Sequence, residues 1–82
     1  MSASPSELNR KWSAATQAAM EEKLGRKFSI LESDKIWNTG SFLQLEQIDM
    51  AIYYAKAPSD LEIYLAEIPE RPPLPEHYTR RN

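Results

Sequence analysis

The chain has 82 residues, no Cys, one His, two Gly and a formal net charge of −2. That length holds one domain. The composition excludes a disulfide framework, a thiolate metal site and a Cys nucleophile. A domain of this size buries only about 60% of its unfolded surface, which makes association with another chain an available source of stability. No run of about 18 apolar residues exists to cross a membrane. The opening Met-Ser-Ala-Ser-Pro lacks the basic-then-apolar layout of a signal peptide, so a cytoplasmic protein is expected.

The first helix is expected from Pro5 or Ser6 to Leu24. Ser4 and Glu7 form a Ser-x-x-Glu capping box around Pro5. The following residues are rich in Ala, Glu, Lys and Gln, all good helix formers, and Gly25 offers a left-handed stop. Leu8, Trp12, Ala15 and Ala19 share one face, and the two alanines would let another helix approach closely. Trp12, Thr16, Met20 and Leu24 form a second ridge at i, i+4 spacing.

Residues 27–40 read as a connector. Phe28–Leu31 suit a short extended segment, Ser33-Asp34 suit the cap of one helical turn reaching Trp37, and Asn38-Thr39-Gly40 signal a turn. Ser41-x-x-Gln44 is another capping box, and Phe42, Leu45, Ile48, Ile52 and Ala55 then fit a helical face. A strand competes at 48–54, where Ile48, Met50, Ile52 and Tyr54 alternate with other residues. Length and Gln/Glu/Ala content favour the helix. After Ala57-Pro58, Ser59 suits the cap of a further helix, with Leu61, Tyr64, Leu65 and Ile68 at i, i+3, i+4 and i+7.

From Pro69 onward the chain holds four of its six prolines, so 69–82 is expected to be an extended tail. The predicted architecture is all-α: a single small helical domain over 1–68, made of a long N-terminal helix, a turn of helix and a helical hairpin, followed by that tail. An α+β fold with strands near 28–31 and 48–54 is the alternative.

Little in the sequence supports catalysis. The only imidazole, His77, sits in the tail, far in sequence from any Ser that it would have to activate. Gly25 and Gly40 stand alone, so no glycine-rich phosphate cradle exists. The Glu-x-x-His pattern of a bundle metal site is missing. Glu46 and Asp49 read as a solvated edge. No cofactor, metal or small-molecule substrate is expected. Residues 28–70 carry eight acidic and two basic side chains, which would repel nucleic acid. Arg10-Lys11-Trp12 and Lys35-Ile36-Trp37 are the only aromatic–basic clusters. Trp12 is expected in the core, and Trp37 either lids the core or anchors a partner. The tail holds Pro-x-x-Pro spacings at 69–72 and 72–75. With Arg71, Pro73 and Leu74 these suit either a polyproline ligand or contact with the chain's own domain.

The informative stretch is 41–56. At about 100° per residue, Leu45, Ile48 and Ile52 point one way, while Leu43, Met50 and Tyr54 point nearly the opposite way. A helix apolar on both sides is buried on both sides. Ile63 points away from Leu61, Tyr64 and Leu65 in the next helix, so Leu43, Met50, Tyr54 and Ile63 are expected on an outer surface, with Trp37 as a further anchor. The connector, the tail or another chain would have to cover it.

Ala57-Pro58-Ser59-Asp60-Leu61-Glu62-Ile63-Tyr64-Leu65-Ala66-Glu67-Ile68 resembles the second helix of small phage head-completion proteins. The resemblance implies two helices around a β-hairpin, although the connector here is longer than that hairpin. It covers a dozen residues and carries no function over.

The expected function is a non-enzymatic protein–protein interaction module, such as an adaptor, inhibitor or accessory subunit. The alternative is a self-assembling structural protein, such as a homodimer or a phage particle component. The expected partner is another protein or a second copy of the chain.

Overall fold

A computed structural model describes residues 5–74. Among them it contains four helices and no strand: α1 (Pro5–Leu24), α2 (Ile30–Trp37), α3 (Phe42–Tyr54) and α4 (Pro58–Glu67). The all-α expectation holds, and the strand alternative at 48–54 is replaced by the last two turns of α3. The β-hairpin that the phage-protein resemblance implies is absent among the described residues. Ser4, the expected cap of α1, lies outside them, as do His77 and the rest of 75–82.

α1 ends at Gly25, whose φ of +76° places it in the left-handed region. There the Gly25 and Arg26 N–H groups both close onto the Glu21 carbonyl, satisfying an otherwise orphaned acceptor.

α2 is longer than the predicted single turn and starts earlier. Ser29, not Ser33, is its cap. The Ser29 hydroxyl accepts from Glu32 N–H at 3.2 Å, and the Glu32 carboxylate accepts from Ser29 N–H at 2.9 Å. This reciprocal box draws Ile30 and Leu31 into the first turn instead of an extended segment.

α3 has the expected Ser41 cap, which accepts from Gln44 N–H at 3.3 Å. α4 begins one residue before its predicted cap. Pro58 takes the first helical position, where its missing N–H costs nothing, and Asp60 reaches back to the N–H groups of Lys56 and Ala57.

α1 packs against all three other helices, and α3 also meets α4. The core is Met20, Ile36, Leu45, Ile48, Ile52, Leu61, Leu65 and Ile68, with Trp12, Leu24, Phe28, Ala55 and Tyr64 packed at its margin. The inward face of α1 is rotated about 100° from the Leu8–Trp12–Ala15–Ala19 stripe. Leu8, Ala15 and Ala19 are exposed, whereas Asn9, Ser13, Thr16 and Met20 are buried. The Trp12–Thr16–Met20–Leu24 ridge is the one that packs.

Hydrogen bonds explain this rotation. Asn9 Nδ2 donates to the Thr39 carbonyl at 3.2 Å, and Thr16 Oγ1 donates to Asp49 Oδ1 at 2.7 Å. Trp12 Nε1 donates to the other Asp49 oxygen. α1 is thus tied to the α2–α3 turn and to α3 by polar groups that would be costly to bury unpaired.

Two lysines finish the neighbouring helices. Lys23 Nζ donates to the Ile52 carbonyl at 2.6 Å, near the end of α3, and Lys35 Nζ to the Leu65 carbonyl at 3.1 Å, near the end of α4. Both place a cation at the negative end of a helix dipole.

Candidate interaction surface

α3 divides its apolar side chains between two sides. Leu45, Ile48 and Ile52 are buried in the core. On the opposite side Leu43, Met50 and Tyr54 are exposed by 64%, 50% and 68%. Their spacing of i, i+7 and i+11 aligns them in one row about 16 Å long at 1.5 Å per residue. Neither the α1–α3 connection nor residues 69–74 cover the row. Each such side chain left in water forgoes about 1.5–3 kcal/mol of burial. An aligned apolar row on a small domain is a feature of interaction sites.

Tyr53 stands beside the row with its ring edge-on to Tyr54, the centroids 4.9 Å apart. It is more exposed than Tyr54. On α4, Ile63 is exposed by 61% and lies opposite the buried pair Leu61 and Leu65. Leu43, Met50 and Tyr54 therefore share one helix face, and Ile63 occupies the solvent face of the adjacent helix.

Trp37 closes α2 and is half-buried. The Arg10 guanidinium lies 3.8 Å from the centre of its ring and also donates to the Trp37 carbonyl. One face of the indole is therefore occupied by a cation from α1.

The residues after α4 turn back over the fold. Arg71 Nη1 donates to Gln44 Oε1 at 2.6 Å, and Asn38 Nδ2 donates to the Arg71 carbonyl at 3.4 Å. Leu74 sits so close to Gly40 that a β-carbon there would lie 2.9 Å from Leu74 Cδ2. Pro73 is exposed, at the edge of a shallow cleft with Leu31 and Asn38. Residues 69–74 thus form a strap across the α2–α3 turn, and their Arg71 and Leu74 side chains contact the chain's own domain.

Between α3 and α4 lies a groove of about 170 Å³. Ile48, Ile68 and Pro69 supply its apolar lining, and Gln44, Gln47, Glu67 and Arg71 its polar one. Tyr64 also lines it. Burial pushes the Tyr64 phenol above its ordinary value, and the charge of Arg71 works against that shift. Gln47 is one helical turn from both Leu43 and Met50, so the groove runs alongside the exposed row.

The strongest electrostatic cluster lies elsewhere, on Arg26. Its guanidinium bonds Glu32 at 2.8 Å and Glu62 at 2.7 Å, joining the end of α1 to α2 and α4. Arg26 holds the Glu32 carboxyl down at about 2 and lowers that of Glu62. Glu21 is lowered chiefly by the Phe28 N–H, which donates to it at 2.7 Å. These carboxylates are committed to structural partners. Among the described residues, no group of three or more His, Asp or Glu side chains is placed to hold a metal ion. No described helix is long and apolar enough to cross a membrane.

Sequence reasoning passed over Tyr53, Ile30 and Leu31, exposed by 77%, 81% and 62%. The signal for the latter two was present: Ser29-Ile30-Leu31-Glu32 has the Ser-x-x-Glu spacing that starts α2 at Ile30.

No protein family, curated protein or solved structure matches the chain.

Proposed function

We propose that the protein is a non-enzymatic interaction module that docks a partner protein on the outer face of α3. Leu43, Met50 and Tyr54 form the contact row, Ile63 extends it onto α4, and Trp37 is a peripheral anchor. The observation that carries this reading is the aligned exposure of Leu43, Met50 and Tyr54 on a helix whose other side already fills the core. Apolar side chains of this size in a row gain from burial against another surface. Asp49, the carboxylate nearest Met50 on α3, is turned inward to Trp12 and Thr16.

The test is differential capture from the source cell with the full chain and with Met50→Asp and Tyr54→Asp, each checked for helicity by circular dichroism. The expected result is a captured protein that both folded variants lose. A capture pattern unchanged by either variant contradicts the reading.

A further inference from the structure

We infer that the α2–α3 turn is a docking site for a polyproline-type segment that carries Arg and Leu three residues apart. Residues 69–74 fill it as a built-in ligand, which an external segment of the same spacing must displace. The site is separate from the outer face of α3 and does not rest on the docking role proposed for that face.

The strap meets the domain with a period of three. Ile68 is buried, Arg71 and Leu74 are half-buried, and Pro69, Glu70, Pro72 and Pro73 between them are exposed. Neither the 3.6-residue period of a helix nor the two-residue period of a strand gives that pattern. A polyproline helix has three residues per turn and brings every third side chain to one side. The local sequence enforces it. Pro69, Pro72 and Pro73 hold φ near about −65°. Ile68, Arg71, Pro72 and Leu74 each precede a proline, which keeps them extended. Ile68 opens the segment with φ −66° and ψ 124°.

The turn is shaped to receive that face. A β-carbon at Gly40 would have three Leu74 side-chain atoms as its nearest neighbours, the closest at 2.9 Å. The φ of Gly40 is not positive, so the backbone does not require glycine there. The missing side chain makes room for Leu74. Asn38 Nδ2 donates to the Arg71 carbonyl at 3.4 Å, a group that a polyproline helix leaves without an internal partner. The Arg71 guanidinium reaches Gln44 Oε1 in the first turn of α3. The prolines between face outward and stiffen the segment, so less freedom is lost on docking. The site thus reads one carbonyl, one guanidinium and one leucine. These contacts are few, and the Arg71–Gln44 bond is exposed to solvent, so the strap can be exchanged for an external segment.

The test follows the NMR signals of the Asn38 side-chain amide and the Gly40 amide while a capped peptide is added to the full chain. One peptide is Pro-Glu-Arg-Pro-Pro-Leu. The other, Pro-Glu-Pro-Arg-Pro-Leu, has the same composition with Arg and Leu two apart. The receiving chain is the double variant Arg71→Ala/Leu74→Ala, whose strap has lost both inward side chains. Circular dichroism checks its helicity, and Leu74→Ala alone replaces it if the double variant is not helical. A tethered ligand competes at an effective concentration on the order of millimolar, so the first peptide is expected to bind the double variant roughly tenfold more tightly than it binds the parent. The second peptide should bind the double variant several-fold more weakly than the first. Gly40→Ala added to the double variant should weaken the first peptide several-fold, and Met50→Asp should not.

Equal binding of the two peptides would mean attraction by composition and overturns the inference. A folded variant that takes neither peptide overturns it as well, and so does a parent chain that takes the first peptide as tightly as the variant does.

Discussion

Asp49 shows how one side chain fixes the pose of a helix. Its two oxygens accept from the Trp12 indole and the Thr16 hydroxyl, both on α1. Removing that acceptor leaves two donors at a helix–helix contact with nothing to bond. Asp49→Ala is expected to lower stability by about 1–3 kcal/mol, read from the urea midpoint. Thr16→Val in the Asp49→Ala background should recover part of the loss, because it removes one orphaned donor. A loss in Asp49→Ala no larger than that of a substitution at exposed Glu22 would show that the bond does not hold α1. Among the described residues, the buried Asn9 Oδ1 and Ser13 Oγ on α1 find no hydrogen-bond partner. The inward surface of this helix is more polar than its ridge of Trp12, Met20 and Leu24 suggests.

At the scale of elements, the helix ends carry the recognisable signals. Gly25 stops α1 and Ser41 caps α3 as their residue types indicate, although Gln44 does not close the expected box and its Oε1 accepts from Arg71 instead. The same logic applied to Ser29 would have placed the start of α2, but the bulky Phe28–Leu31 run reads equally well as an extended segment. The stripe on α1 was harder to see for a different reason. Its polar members Asn9 and Thr16 are inward because of partners 30 and 33 residues away, and such pairing leaves no local periodicity. The inward and outward sides of α3 were legible because side chains on both follow the period of the helix.

The Arg26 cluster links three elements and gives them a pH dependence. The Glu32 carboxyl is depressed from its ordinary 4.5 to about 2. Its stabilising contribution is therefore fully present above 4.5 and is lost as the pH falls from there through about 2. Glu62 and Glu21, also lowered, act in the same direction. The urea midpoint is expected to fall across this window, and the fall should be shallower in Arg26→Gln. The cluster is partly exposed, so high salt should reduce the difference between the two proteins. An Arg26→Gln profile identical to that of the parent would mean that the cluster does not contribute.

At the scale of the molecule, the fold closes its core with eight buried apolar side chains and leaves an apolar row outside. Within the core, Leu65→Ala is expected to cost about 2–5 kcal/mol through lost burial and the cavity left behind. On the exposed row, a substitution is expected to change stability by no more than about 0.5 kcal/mol, which is what distinguishes a docking surface from a core. The strap of residues 69–74 contacts the α2–α3 turn and does not reach over the row. The exposed side of α3 is therefore a property of the whole arrangement, set by where α1 and the strap lie.

The most direct measurement compares Met50→Asp with Ile48→Asp, two positions two residues apart on the same helix, by far-UV circular dichroism and urea unfolding of the purified chain. Ile48 faces the core, so a carboxylate there is buried without a partner and the chain should lose its cooperative transition. Met50 faces solvent, so its variant should keep the helical spectrum and a midpoint close to that of the parent. Unfolding of Met50→Asp to the same extent as Ile48→Asp would contradict the account.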